Sequence, residues 1–198
     1  MAAAQEPSPA DAVLIRHGET AWSRSGRHTS TTDLPLTAHG EEAARRLVPV
    51  LAGMELAMVL SSPRQRALQT CRLAGLGARV QVDDDLAEWS YGDYEGLTAA
   101  EIELQQPGWL LFRDGAAGGE SPAQVAARVD RVIARVRAAR GPVALFAHGH
   151  VLRVFVARWI GLSAGQGQHF LLDTSTLSVL SHYRGLPAVK SWNAPQGA

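Results

Sequence analysis

Cysteine is almost absent: Cys71 is the only one in 198 residues. No intrachain disulfide can form, which fits a reducing cytoplasm. Cys71 stands among Ala67, Leu68 and Ala74, so it is expected in the core rather than in catalysis. Lysine is nearly as rare, with Lys190 alone. A charge excess is missing as well, since 19 basic residues balance 19 acidic ones. Nucleic acid and anionic membranes usually demand a basic excess, so the balance argues against both as partners. It leaves room for a local cationic pocket, and arginine is suited to grip carboxylate or phosphate in such a pocket. No apolar run approaches the length of a membrane span. Met1 to Asp11 lacks both the basic and the apolar segment of a secretory leader. Residues 1–10 are expected to form a disordered tail, residues 11–198 a single domain, and the location is expected to be cytoplasmic.

Apolar residues make up 46% of the chain, enough for one substantial core. Strand-like and helix-like stretches alternate. Val13-Leu14-Ile15, Ala57 to Leu60, Arg79 to Val82 and Val143 to Ala147 read as short buried strands. Thr176 to Leu180 and Ala188 to Trp192 read as later ones. Helices are expected after Thr37, after Ser62-Pro63, from Thr98, after Ser121-Pro122 and from Val151 to Ile160. In this reading Ser62 caps a helix whose first turn holds Arg64, beside free backbone N–H groups. The pattern predicts a three-layer α/β/α sandwich around a mostly parallel sheet. Glu19 to Asp33 reads as a long polar loop. Pro107 to Gly119 reads either as a lid or as a short helix packed on the body.

In open α/β sheets ligands gather at the carboxyl ends of strands. The first strand delivers Arg16, His17 and Gly18 there. The second delivers Arg64, the segment after the third delivers Glu88, and the most apolar strand delivers His148. Gly18 permits a sharp turn or a close approach of a ligand. Two arginines, two histidines and a carboxylate suit a dianionic phosphate and a leaving group that needs a proton.

These residues sit in recognisable blocks. Arg16-His17-Gly18-Glu19-Thr20 is followed by Trp22, Gly26-Arg27 and Leu34-Pro35-Leu36-Thr37. Then come Ser61-Ser62-Pro63-Arg64 with Ala67 and Thr70, Glu88 with Tyr91-Gly92 and Glu95-Gly96, and Ala147-His148-Gly149 with Arg153. From Leu14 to Leu180 the chain resembles the histidine phosphatase superfamily, the phosphoglycerate mutase-like proteins. The resemblance implies that His17 is the nucleophile that accepts a phosphoryl group. It implies that Arg16, Arg64 and His148 clamp the phosphoryl oxygens, and that Glu88 is general acid and then general base. Ser23, Thr29, Tyr91 and Gly149 fall at phosphate-binding positions, and His28 and Arg113 are candidates for substrate contact. No metal and no cofactor is implied. The expected partner is a small phosphorylated substrate, with a homodimer left open as the assembly.

Ser23, Ser30 and Ala147 depart from residues frequent in the family, so the shape of the pocket is in question. The stretch from Trp89 to Gly96 looks like the phosphatase branch, not the cofactor-dependent mutases. Val82 to Leu86, Phe112 to Gly115 and Phe146 to His150 resemble sedoheptulose-bisphosphatases and broad-specificity acid phosphatases. A sugar-phosphate phosphatase is therefore expected, with phosphoglycerate mutase-type transfer as the alternative. A metal hydrolase using His17, His148 and His150 would need a further ligand in matched geometry. A non-catalytic phosphoprotein-binding module should have lost His17 or Glu88.

Overall fold

The computed structural model describes residues 10–195. Nearly all of the tail expected over 1–10 lies outside the described residues, and Ala10, its last residue, is buried. The opening apolar run forms β1 (Ala12–Arg16). The stretch read as a polar loop holds one helical turn, α1 (Ala21–Arg24), because Thr20 and Ser23 cap each other's backbone. Thr37 caps α2 (Ala38–Arg45), and Pro49 starts a separate short helix, α3 (Val48–Ala52). Next come β2 (Met58–Ser61), α4 (Gln65–Leu73) and β3 (Val80–Val82). Helix α5 (Ala99–Gln105) starts at a capping box between Thr98 and Glu101, and α6 (Leu111–Asp114) is a single turn. Helix α7 (Pro122–Ala138) has Ser121 as N-cap and proline in its first turn. The chain ends with β4 (Val143–Ala147), α8 (Gly149–Trp159), β5 (Leu177–Tyr183) and β6 (Leu186–Ala194).

The six strands form one sheet in the order β3-β2-β4-β1-β5-β6. The first four are mutually parallel, while β5 runs antiparallel to β1 and β6 antiparallel to β5. Side chains alternate between the two faces, as the strand period requires. On β4, Val143, Leu145 and Ala147 meet α7 and α8, while Ala144 and Phe146 meet the α3–α4 side. Each fully buried aliphatic or aromatic side chain contributes about 1.5–3 kcal/mol. Strands β1 and β4 are buried on both faces, so they form the rigid floor of whatever the sheet carries.

Their register places the site. Arg16 pairs with Ala147, and Ser61 pairs with Phe146. Strands β1 and β4 end level and β2 ends one residue earlier, so His17, His148 and Ser62 leave the sheet close together. Gly18 serves this geometry rather than ligand approach: a Cβ there would lie 2.6 Å from the Gly40 carbonyl, so α2 crosses directly over the turn.

The 107–119 segment is body, not a free lid. Leu111 and Phe112 are buried, and Phe112 packs edge-on against Trp89 and His150. Arg113 points away from the catalytic cavity. It pairs with its neighbour Asp114 at 2.7 Å and donates to the Gly108 carbonyl. This corrects its expected substrate contact. Arg113→Ala should leave kcat/KM unchanged within about twofold, as for most exposed positions; a larger loss in a steady-state assay would restore Arg113 to the site.

Candidate active site

A cavity of ≈300 Å³ opens at the carboxyl edge of the sheet. It gathers most of the expected residues: Arg16, His17, Ser23, His28, Thr29, Glu88, Tyr91 and Gly149. His148 stands behind His17, fully buried, with ring centroids 5.1 Å apart. A carbonyl can only accept, so His17 Nδ1–H donates to the Gly18 carbonyl at 2.7 Å. That bond leaves the Nε2 lone pair free. His148 shows the opposite tautomer. Arg66 Nε donates to His148 Nδ1 at 3.1 Å, so His148 Nε2–H donates to Ser62 Oγ at 2.7 Å.

Burial is the main force holding both imidazoles well below their ordinary pKa. Arg66 and Arg16 repel a proton on His17. Arg66, His17, Arg16 and Arg64 do the same at His148. His150 is likewise held well below its ordinary value by burial, then by Arg153, His28 and Arg16. All three rings are therefore neutral at neutral pH.

The sign of the pH effect follows from these lowered values. The unfolded chain takes up protons as pH falls below about 6.5, and the folded chain does not. Stability is complete above that value and declines below it. Each of the three histidines contributes at most about 1.4 kcal/mol per pH unit. Urea midpoints should therefore fall steeply between pH 7 and 5.5, whereas a flat profile would mean that these rings gain protons in the folded state.

Glu88 enters from the segment after β3 and is taken up by the start of α8. Its Oε1 accepts from the Trp89 and Val151 N–H groups at 2.8 and 2.9 Å. Its Oε2 accepts from the His150 N–H at 3.0 Å. The carboxylate thus caps the helix, satisfying orphan donors at its positive end. Helix α8 starts two residues earlier than the apolar pattern suggests, with His148 as N-cap. Gly149 makes room for Arg16, since a Cβ there would sit 3.3 Å from the guanidinium carbon.

The arginines differ from expectation. Arg64 is itself the N-cap of α4, not a residue of its first turn; Asp33 accepts from the Gln65 N–H at 2.8 Å, and the Ser62 hydroxyl serves both the Arg64 N–H and His148. Arg64 does not line the cavity, although its Nε is buried without a hydrogen-bond partner among the described residues. Arg16 Nε is in the same condition. The cation touching the histidine pair is Arg66, fully buried, which sequence reasoning missed. Its guanidinium also donates to the Thr29 and Thr32 carbonyls, tying the α1–α2 loop to His148. Helical spacing did not separate the two: Arg64 stands three and seven residues before Ala67 and Cys71, and Arg66 stands one turn before Thr70.

The loop residues are held from the other side. Glu95 accepts from the Ser30 and Thr32 N–H groups. His28 Nδ1–H donates to the Leu97 carbonyl at 2.9 Å. Its ring stacks at 10° on His150, which stands in the first turn of α8. Tyr91 Oη lies 2.6 Å from His150 Nδ1, and burial pushes this phenol well above its ordinary pKa. Ser23 and Thr29 reach the cavity, but their hydroxyls bond locally, to Thr20 and to the Arg27 carbonyl. Cys71 is buried, its thiol pushed up to about 12 mainly by desolvation. Among the described residues, no group of three or more His, Cys, Asp or Glu side chains could hold a metal ion.

Fold and site together define an α/β protein with paired neutral histidines ringed by arginines at the carboxyl edge of a parallel sheet. The chain matches the histidine phosphatase superfamily (branch 1) over residues 12–195, and it belongs to that superfamily. It is 39% identical over 178 residues to an acid phosphatase of Mycobacterium tuberculosis, covering 88% of this chain and 87% of that protein. It is 38% identical over 183 residues to the sedoheptulose 1,7-bisphosphatase of Saccharomyces cerevisiae, covering 76% and 67%. A solved structure of a Mycobacterium tuberculosis open reading frame product superposes with a TM-score of 0.89 at 36% identity, over 95% of this chain and 99% of that one. Among the described residues no helix is long and apolar enough to cross a membrane.

Proposed function

We propose that this protein is a metal-independent phosphatase of small phosphomonoesters, chiefly sugar phosphates, working through a phosphohistidine on His17. The observation that carries the reading is the pair of opposed tautomers, with His17 Nε2 bare beside a buried arginine cluster. In the first step His17 Nε2 forms a bond to phosphorus while the ester P–O bond breaks. Arg16 offers a buried, unpartnered Nε–H to the phosphoryl charge from the cavity wall, and Arg64, whose Nε–H is likewise unpartnered, adds its charge with His148 and Arg66. Glu88 gives its proton to the departing alkoxide. In the second step water attacks phosphorus, loses its proton to Glu88 and frees inorganic phosphate. Glu88 ends as it began. The names of the curated relatives, an acid phosphatase and a sugar bisphosphatase, support both the reaction class and the substrate class.

A panel of sugar mono- and bisphosphates, assayed for phosphate release with and without a chelator, tests the reading. Release should be chelator-insensitive, and its acid limb should extend below about pH 6.5, because the nucleophile stays neutral there. Net isomerisation without phosphate release would favour mutase-type transfer instead.

A further inference from the structure

We propose that Arg128, working through Glu120, is the positioning residue that holds Glu88 at the catalytic cavity; this rests on the phosphatase reading above. Arg128 lies on α7, on the stripe that buries Val125, Val129 and Val132. An apolar side chain would pack there without electrostatic cost. A guanidinium in that place is costly unless its donors find partners, so its presence asks for a reason beyond packing.

All three guanidinium nitrogens are spent around the segment that carries Glu88. Nε and Nη2 meet the Glu120 carboxylate as a fork, at 2.8 and 3.0 Å. Nη1 donates to the carbonyls of Asp85 and Ala87, at 2.8 and 2.6 Å. Ala87 immediately precedes Glu88. Glu120 grips the other flank. Its Oε2 accepts from the Ser90 N–H at 2.8 Å, and its own N–H donates to the Ser90 carbonyl at 2.9 Å. Its carbonyl accepts from the Trp89 indole N–H at 2.8 Å. A Cβ at Gly119 would collide with the Ser90 carbonyl, so glycine there lets the two segments come this close. The ion pair therefore straddles Glu88, with one arm on Ala87 and the other on Trp89 and Ser90. The Glu88 carboxylate is oriented separately, by the N–H groups at the start of α8. Helix α8 sets its direction, and α7, through Arg128, sets where its backbone stands. Proton transfer depends on that second coordinate, since a misplacement of ~1 Å can cost about 10²-fold. Arg131 and Arg135 on the same helix also reach this region, but they pair with Asp85 and Asp83 at the surface. Their side chains are 59% and 42% exposed, against 10% for Arg128, so only the Arg128 pair is shielded enough to fix a geometry.

Leaving-group dependence tests this. A general acid matters far more for a departing sugar alkoxide than for nitrophenolate, and kcat/KM reports the steps up to that departure. Arg128→Lys keeps a cation for Glu120 but cannot reproduce the planar fork. It should lower kcat/KM on fructose 6-phosphate about 10- to 100-fold, through kcat rather than KM. On p-nitrophenyl phosphate the fall should not exceed about threefold. In a Glu88→Gln background the same substitution should lower kcat/KM on neither ester any further, because no acid is left to place. Arg131→Ala, which breaks the exposed pair, should leave both esters within about twofold. An equal fall on both esters in Arg128→Lys, or its full loss repeated in the Glu88→Gln background, would overturn the positioning role and leave the pair structural. Should Arg128→Lys not fold, Glu120→Gln carries the test with the same outcomes, since it keeps the size of Glu120 and removes the charge that Arg128 meets. Leaving-group selectivity in Glu88→Gln without it in the Arg128 and Glu120 variants sinks the positioning alone. A wild type that cleaves neither ester sinks the phosphatase reading and the positioning with it.

Discussion

Replacing His17 by alanine is expected to lower kcat/KM by at least about 10⁴-fold on every phosphomonoester, because the covalent route disappears. Direct attack by water would remain, assisted only by the arginines, so a small residual rate is consistent with the scheme. Folding should survive. The His17 ring makes one side-chain hydrogen bond, to its own neighbour's carbonyl, and the surrounding sheet is fixed by β1 and β4. A second consequence separates lost chemistry from damage. His17 is one of three buried neutral histidines that must be protonated on acid unfolding. Its removal should make the urea midpoint less sensitive to pH between 7 and 5.5. Full activity in His17→Ala on the best substrate would end the phosphohistidine scheme.

The parts of this architecture that obey a local period were legible in the chain. The unbroken apolar runs of β1 and β4 and the apolar stripe of α7 depend on neighbours in sequence, and both stand where the pattern puts them. So do the helix starts at Thr37, Thr98 and Ser121. The carboxyl-edge gathering of Arg16, His17, Glu88 and His148 follows from strand order in an α/β sheet, even though that order was not itself readable. What escaped was decided across space. Ser62 has the chemistry of an N-cap, but its hydroxyl is shared between the Arg64 N–H and His148, which arrives from 86 residues away, and α4 starts only at Gln65. Arg64 and Arg66 look equivalent in sequence, yet Arg64 stands at the N-cap of α4 with extended backbone, and it is Arg66, inside the helix, that bonds His148. Arg113 has the composition of a ligand contact and spends it on Asp114.

Glu88→Gln should separate the two half-reactions. With p-nitrophenyl phosphate the leaving phenolate needs little help, so the first step should persist and the second, which needs a base for water, should stall. The expected signature is a burst of nitrophenolate close to one equivalent per enzyme, followed by turnover slowed about 10²- to 10⁴-fold. Alkaline-stable, acid-labile phosphate should accumulate on the protein and vanish in a His17→Ala/Glu88→Gln double variant. With a sugar phosphate, whose alkoxide leaves poorly, both steps should slow and the burst should disappear. Glutamine is nearly isosteric, so the contrast between the two esters is the informative part. Glu88 Oε1 holds the Trp89 and Val151 N–H groups, and a glutamine carbonyl can keep both. Its amide nitrogen then faces the His150 N–H that Oε2 accepted, so one cap of α8 is lost. Such a lost helix cap typically costs about 1 kcal/mol of stability. That structural loss would slow both esters alike and give no burst, whereas loss of proton transfer distinguishes them. Normal turnover on both would remove Glu88 from the chemistry and leave it as the cap of α8.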